Sequence, residues 1–200
     1  NYSDSSNVED FLLSVKSRNS NPDILVGWSL GGQLAIRLIQ QKILKPKILI
    51  LLAPPFQMVK DSRITAAMTQ KSFEEFSGNF SKAPSKTLKK FSILTAMNDR
   101  NSADIARNLD VNDSNFDGLV YWLEELRRFS CFDVDLSDMP RTVFFQGAGD
   151  MIVHVSQAEY FQKRIKDFRL EAFAKCGHAP HLNDLERVRK VILEETQILK

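Results

Sequence analysis

The sequence predicts an α/β fold in which a parallel sheet core carries a helical lid insertion. Short apolar runs typical of strands alternate with amphipathic segments typical of helices, and this alternation favours a parallel sheet. A long stretch, residues 57–135, interrupts the alternation because it predicts several helices and no strand. We therefore expect a core made of residues 1–56 and 136–200 and a lid made of residues 57–135.

The composition is that of an ordinary globular domain. The 200 residues are 43% hydrophobic and 26% charged, which is enough material for one core. The net charge of +2 gives no overall field that favours nucleic acid or a membrane, and no apolar run is long enough to cross a bilayer. The two cysteines form no disulfide framework, which suits a reducing compartment. We expect a cytoplasmic monomer.

The first part of the chain predicts helix, strand, helix and strand in that order. Ser6 followed by Glu9 has the pattern of a capping box, which opens a helix with apolar residues on one face. Residues 23–27 predict a strand and residues 33–41 a helix. Residues 47–53 are apolar almost throughout, which is typical of a parallel strand buried on both faces.

The lid stretch predicts four helices separated by polar breaks such as Asn112-Asp113-Ser114. After it the alternation of strands and helices returns. The predicted lid helices are residues 65–76, 84–97, 103–109 and 116–129, and the predicted elements of the second core segment are strand 142–146, helix 156–166, strand 169–174 and helix 185–198.

Residues 27–32, Gly-Trp-Ser-Leu-Gly-Gly, have the pattern of a nucleophile elbow. In this G-x-S-x-G turn a serine hydroxyl is lifted from the end of a strand into a cleft, and the flanking glycines let strand and helix pass closely. The motif alone is weak, but here a predicted strand precedes it and a predicted helix follows it. The context therefore favours Ser29 as a nucleophile over a serine in a plain glycine-rich turn.

A serine nucleophile needs a base and a carboxylate that orients the base, and the sequence offers both in the expected order. Asp150 follows the third predicted strand and His178 the fourth, so both are expected with Ser29 at the carboxyl ends of the strands. His181 is the alternative base, and His154 lies just after the acid. The alternative role of Asp150 is that of a turn residue.

The oxyanion site is only partly accounted for by the sequence. Leu30 is expected to supply one donor through its backbone N–H. The second donor normally comes from a loop between an early strand and the first helix, and the residues before Ser29 provide only one helix and one strand. We therefore expect that the chain lacks the N-terminal strands of its domain; the alternative is an oxyanion site built differently.

From the elbow onward the chain resembles the α/β-hydrolase superfamily and, within it, the pimeloyl-[acyl-carrier protein] methyl ester esterase family of biotin synthesis. The elbow with its tryptophan, the acid loop of residues 147–153, the His178-Ala179-Pro180 loop and the lid pattern carry the resemblance. It implies a serine carboxylesterase that hydrolyses the methyl ester of a pimeloyl group held on acyl-carrier protein. It implies no cofactor.

The resemblance also implies binding residues. It places Trp28, Leu30, Phe76 and Phe91 along the acyl channel. It places Lys86, Lys90 and Arg107 at positions that contact the acidic carrier, whereas a further basic position of the family is Ala103 here. Residues 82–107 hold six basic side chains against two acidic ones, which suits an acidic partner. Charge alone favours a solvated helix face, and the two phenylalanines equally allow plain lid packing.

Other functions remain open from the sequence. A generic short-chain carboxylesterase, a C–C bond hydrolase or another α/β-hydrolase would use the same triad. A non-catalytic, hydrolase-like binding protein would explain the missing oxyanion loop. No histidine and carboxylate cluster has the spacing of a metal site and no phosphate-binding loop is present, so we expect no metal and no nucleotide.

Overall fold

A parallel sheet of four strands lies at the centre of the described residues, 4–109 and 116–197, in the computed structural model; of Asp117 only the backbone is described. The strands, β1 (Ile24–Trp28), β2 (Ile48–Leu52), β3 (Arg141–Gly147) and β4 (Phe168–Phe173), are neighbours in that order. All three pairings are parallel, so the carboxyl ends of the strands meet at one edge of the sheet. The predicted α/β class is confirmed.

Helices cover the sheet and fill the long connection between β2 and β3. They are α1 (Val8–Ser17), α2 (Leu30–Gln40), α3 (Gln70–Lys82), α4 (Pro84–Thr95), α5 (Ser102–Asn108), α6 (Phe116–Arg128), α7 (Gln157–Gln162), α8 (Pro180–Asn183) and α9 (Leu185–Gln197).

The central strands β2 and β3 are buried on both faces, as the unbroken apolar run of β2 predicts. Because side chains alternate along a strand, Leu49 and Leu51 point to one face and Ile50 to the other. The first face packs against α2 and α7, through residues such as Ile36 and Phe161. The second face packs against α9. The core therefore has three layers, with the sheet between helices on either side.

Four helices, α3 to α6, lie within the range predicted for the lid. Helix α6 joins them to the core because Val8 donates its backbone N–H to the Tyr121 hydroxyl at 3.1 Å, and Arg37 pairs with Glu125 at 2.9 Å. Within the described part of residues 57–135 there is no strand, only single bridges such as that between Val59 and Met68. The predicted polar break at Asn112-Asp113-Ser114 lies outside the described residues.

Several predicted element boundaries were wrong. The helix predicted over 65–76 is α3, Gln70–Lys82, because the chain around residue 68 still pairs with Val59 and the helix begins only after Thr69. The Thr69 hydroxyl accepts the N–H of Ser72 at 3.0 Å, which is an N-cap. The capping box predicted at Ser6 and Glu9 is also wrong: Asn7 is the N-cap of α1.

The two core helices near the site differ from their predicted lengths as well. The helix predicted over 33–41 begins at Leu30, immediately after the turn that contains Ser29. The helix predicted over 156–166 is the shorter α7, Gln157–Gln162. The short helix α8 was not predicted, because its four residues are too few to show a periodic pattern.

Candidate active site

Ser29 lies at the junction between β1 and α2, at the carboxyl edge of the sheet. Its backbone is in the left-handed half of conformational space, with φ 51° and ψ −121°, which is a strained conformation for a residue with a side chain. Its N–H donates to the carbonyl of Leu52 at 2.9 Å, which fastens the turn to the end of β2. Ser29 is half-buried.

The turn needs glycine at position 27 because strand and helix cross closely there. A Cβ atom on Gly27 would lie 2.6 Å from the carbonyl oxygen of Gly31 and 2.6 Å from the Cα of Gly32. Any side chain would therefore push the start of α2 away from β1. The close crossing is what sets the backbone of Ser29 in the geometry of a nucleophile elbow.

His178 follows β4 and is completely buried. Its Nε2 lies 2.9 Å from the Ser29 hydroxyl oxygen, and its Nδ1 lies 2.8 Å from Oδ2 of Asp150. Because an ionised carboxylate only accepts hydrogen bonds, the imidazole proton belongs on Nδ1 and Nε2 is left to accept from the serine hydroxyl. The structure thus brings the three predicted residues into one hydrogen-bonded chain.

Asp150, in the turn after β3, is held by four donors. Its Oδ1 accepts the backbone N–H groups of Ile152 at 2.8 Å and Val153 at 2.9 Å. Its Oδ2 accepts from the side-chain amide of Gln146 at 2.9 Å as well as from His178. Four donors leave the carboxylate one orientation, in which Oδ2 faces the imidazole.

Leu30, the predicted oxyanion donor, is the first residue of α2. The first N–H groups of a helix have no partner within the helix, and the helix dipole makes that end favourable to negative charge. The backbone N–H of Leu30 therefore lies next to Ser29 at the end of α2 that favours negative charge. Residues 4–23 hold α1 and its connection to β1, and no strand of the described residues precedes β1.

Trp28 touches the histidine loop. Its indole Nε1–H donates to the main-chain carbonyl of His178 at 2.9 Å, and its ring lies 5.0 Å from that of His181, edge to face. The resemblance implied only a substrate-lining role for this residue. The hydrogen bond shows that Trp28, at the end of β1, also holds the residue that follows β4.

The other two histidines are not hydrogen-bonded to Ser29. Burial and the neighbouring His178 lower the pKa of His181 to about 4, so its imidazole is neutral at neutral pH. His154 is exposed, and its Nδ1 lies 2.8 Å from the Ser156 hydroxyl. Of the three histidines, the structure joins His178 to both Ser29 and Asp150.

The binding residues that the resemblance implies, apart from Trp28 and Leu30, lie in the range predicted for the lid. The rings of Phe76 and Phe91 are 5.8 Å apart, between α3 and α4. They line a cleft of about 230 Å³ with an apolar floor and a basic rim, which includes Lys86 and Lys90. Arg107 lies on α5, exposed, where it pairs with Asp104, and it is not among the residues that line the cleft.

Sequence reasoning missed residues that support the triad. Gln146, which orients Asp150, is a buried polar side chain directly after the apolar residues Val143, Phe144 and Phe145 of β3, and that contrast could have indicated it. Asp99, which accepts the N–H of Gly177 at 2.8 Å beside His178, lies in a polar loop of the lid that carries no motif.

Neither metal ligands nor membrane spans are found in the part of the chain that the structure describes. Among residues 4–109 and 116–197, no three His, Cys, Asp or Glu side chains are grouped so that they could hold a metal ion. No helix of the described residues is long and apolar enough to traverse a bilayer.

Curated relatives carry the names that the resemblance suggested. The pimeloyl-[acyl-carrier protein] methyl ester esterase of Aromatoleum aromaticum is 29% identical over 178 residues, which are 82% of this chain and 69% of that protein. The esterase of the same name from Nitrosomonas europaea is 26% identical over 78% of this chain and 64% of its own length. A biotin biosynthesis bifunctional protein of Teredinibacter turnerae is 29% identical over 84% of this chain, but this chain covers only 32% of it.

Solved structures share the fold. An esterase from Exiguobacterium antarcticum superposes with a TM-score of 0.82 over 95% of this chain and 72% of its own, at 20% identity. A bromoperoxidase from Bacillus anthracis gives a TM-score of 0.81 over the same shares, at 13% identity.

A family model assigns the chain directly. The model of the alpha/beta hydrolase family matches residues 1–191, which is nearly the whole sequence. The predicted fold and the resemblance to the esterases of that family are confirmed, and the names of the relatives support the expected enzyme class, a carboxylic ester hydrolase. This chain belongs to the alpha/beta hydrolase family.

Proposed function

We propose that this protein is a serine carboxylesterase that hydrolyses the methyl ester of pimeloyl-acyl-carrier protein. The observation that carries the proposal is the hydrogen-bonded chain from Ser29 through His178 to Asp150, with distances of 2.9 and 2.8 Å. The names of the curated relatives, which this chain matches at 26–29% identity, supply the substrate. Because the chain covers only part of each relative, substrate and partner are proposals here.

In the first half of the reaction, the Ser29 oxygen attacks the ester carbonyl while Nε2 of His178 takes its proton. Asp150 stabilises the imidazolium that forms and keeps its orientation. The backbone N–H of Leu30 donates to the oxygen of the tetrahedral intermediate. The C–O bond to the methoxy group then breaks, His178 returns the proton to it, and methanol leaves an acyl-enzyme on Ser29.

In the second half, water replaces the serine. Nε2 of His178 takes a proton from a water molecule, whose oxygen attacks the acyl carbon. A second tetrahedral intermediate collapses, the Ser29 oxygen receives the proton, and the product is a free carboxylate on the carrier-bound acyl chain. The net change is one ester and one water converted to one acid and one methanol.

The lid cleft supports a carrier-bound substrate. Its floor contains Phe76 and Phe91, which suit an acyl chain, and its rim carries Lys86 and Lys90, which are exposed. Lysines on an exposed helix steer an acidic protein toward the surface, an effect that salt weakens. The basic rim is the part of the cleft that favours a carrier-bound substrate over a small ester, because a small ester brings no acidic partner.

The test is turnover of pimeloyl-acyl-carrier protein methyl ester beside a small p-nitrophenyl ester, measured with the full natural polypeptide and its Ser29→Ala variant. We expect release of methanol from the carrier-bound ester, and a loss on the order of 10⁴-fold or more in Ser29→Ala with carrier binding retained. Binding is measured by titration with labelled carrier.

Other outcomes discriminate the alternatives. Cleavage of only the small ester by the wild-type protein would make it a generic carboxylesterase. Hydrolysis that persists in Ser29→Ala would remove the triad assignment. Binding of the carrier without turnover of either ester would favour a non-catalytic binding protein.

A further inference from the structure

The segment that ends helix α4 is fastened to the loop that carries His178. The backbone N–H of His178 donates to the carbonyl of Thr95 at 2.9 Å. The preceding N–H, that of Gly177, donates to Oδ1 of Asp99 at 2.8 Å, across 78 positions of sequence. Two successive amides of the histidine loop are therefore held by the lid, and only one of them by a side chain.

The same segment packs against both loops of the triad without a gap. A Cβ atom on Gly177 would lie 2.5 Å from the carbonyl oxygens of Thr95 and Met97. A Cβ atom on Gly149, next to the acid, would lie 2.7 Å from the Cβ of Asn98, whose side-chain amide donates to the Gly149 carbonyl at 2.8 Å. The lid end and the two loops thus form one packed unit, in which a shift of one moves the others.

Burial of the Asp99 carboxyl costs folding free energy, which is not expected of a residue with a purely structural role. It is 9% exposed, and burial together with the charge of Asp150 raises the pKa of its carboxyl. Its Oδ2 is buried, and among the described residues the further partner of the carboxyl is the Cys176 thiol, a weak donor. A buried carboxyl with so few donors costs folding free energy, and this cost offsets what its hydrogen bond to the Gly177 N–H contributes.

We propose that Asp99 is a positioning residue for His178, which accepts the Gly177 N–H and thereby fixes the histidine loop at the distance that Ser29 requires. The N–H of His178 donates to the Thr95 carbonyl, and its carbonyl accepts from the Trp28 indole. Together with the bond from Gly177 to Asp99, these hydrogen bonds fix the backbone of His178. Because Asp99 belongs to the lid, it also makes the alignment of the triad depend on the seating of the lid. This inference rests on the proposed catalytic role of the triad.

The experiment compares wild type, Asp99→Ala and Asp99→Asn on a small p-nitrophenyl ester and on a fluorophosphonate probe that reacts with an activated serine. Asp99→Ala removes the acceptor, so we expect kcat and the probe reaction to fall about 10- to 100-fold, with KM nearly unchanged. Asp99→Asn keeps an acceptor oxygen and recovers most of the loss. Glu75→Ala, which removes an exposed lid carboxylate, is the matched control and leaves both rates unchanged.

Unfolding by urea separates positioning from simple support. We expect Asp99→Ala to unfold at the same or a higher urea concentration than wild type. A fall in kcat that parallels a fall in the unfolding midpoint, or a kcat equal to that of wild type, would overturn the inference. Should Asp99→Ala not fold, Asp99→Ser, whose hydroxyl is too short to reach the Gly177 N–H, is expected to show the same loss of kcat.

The outcome is distinguishable from failure of the proposed function. If the wild-type protein neither cleaves esters nor reacts with the probe, or if Ser29→Ala does so equally well, the triad assignment fails and this inference with it. If the wild type is active, Ser29→Ala is not, and Asp99→Ala equals the wild type, only the role of Asp99 is lost.

Discussion

Trp28 has two possible roles at the level of single residues, and they predict different kinetics. The resemblance implies that its ring lines the acyl channel, whereas the structure shows its indole N–H donating to the carbonyl of His178 at 2.9 Å. A side chain that lines the channel stabilises the bound substrate and the transition state equally. A hydrogen bond that holds the base contributes to the chemical step.

Trp28→Phe separates these roles because it keeps an aromatic ring and removes the donor. The carbonyl of His178 loses a partner in a part-buried place, and the loop gains freedom. We expect kcat for a small ester to fall about 5- to 10-fold, the equivalent of about 1 kcal/mol, with KM within about twofold of wild type. Steady-state kinetics measure both. A raised KM at unchanged kcat would return Trp28 to a substrate-lining role alone.

The residues of the triad could be predicted from sequence because each follows a strand and carries a local motif. Their supports could not be predicted. Trp28 reaches His178 across 150 positions and Asp99 reaches Gly177 across 78, and no local pattern encodes such a pairing. The strained backbone conformation of Ser29 is encoded locally, because Gly27 allows strand and helix to cross closely and this crossing fixes the backbone angles of Ser29.

At the level of elements, apolar patterns located the strands better than the lid helices. The burial of β2 on both faces follows directly from its composition. The start of α3 does not follow from composition. Met68 pairs with Val59 and Thr69 caps the helix, and both features depend on the tertiary fold of the preceding segment. Propensity over 65–76 was overridden by this tertiary contact.

The basic face of α4 is the element that the proposed carrier would meet. Lys86 and Lys90 are one turn apart, exposed, and on the rim of the lid cleft. We expect the double reversal Lys86→Glu/Lys90→Glu to raise KM for carrier-bound ester about tenfold or more, because like charges replace attraction at the encounter. The small ester, which has no carrier, is expected to keep its kcat and KM.

The matched control is Lys42→Glu/Lys45→Glu, which makes the same change of net charge in the exposed connection between α2 and β2. Both variants are measured at low and high salt, since screening should reduce the wild-type advantage on the carrier substrate. An equal loss on both substrates would show that the two lysines support the lid. An equal effect of the control pair would show that net charge, not the face of α4, steers the carrier.

For the molecule as a whole, an ion-pair network joins the last helix to the sheet. Glu195 on α9 is nearly inaccessible, with 1% of its side chain exposed, and lies 2.9 Å from Arg141 at the start of β3 and 2.9 Å from Arg169 on β4. The hydrogen bonds from Arg141 and then Arg169 outweigh burial and lower the pKa of its carboxyl. Unfolding exposes the carboxyl to water and restores its ordinary pKa, so this carboxyl links stability to pH.

Because the folded pKa lies below the unfolded one, the stabilisation from Glu195 is complete above the ordinary range of a glutamate and is lost as the pH falls through the lowered value. We expect Glu195→Gln to reduce the free energy of unfolding by about 2 kcal/mol at pH 7, and its deficit to shrink below about pH 5. Glu194→Gln, which removes a more exposed partner of Arg169, is the control and should cost under about 1 kcal/mol. Urea unfolding between pH 7 and pH 3 measures both. A deficit of Glu195→Gln that stays constant over that range would mean that α9 is held by the apolar contacts of Val188 and Val191, with the charges adding nothing that depends on protonation.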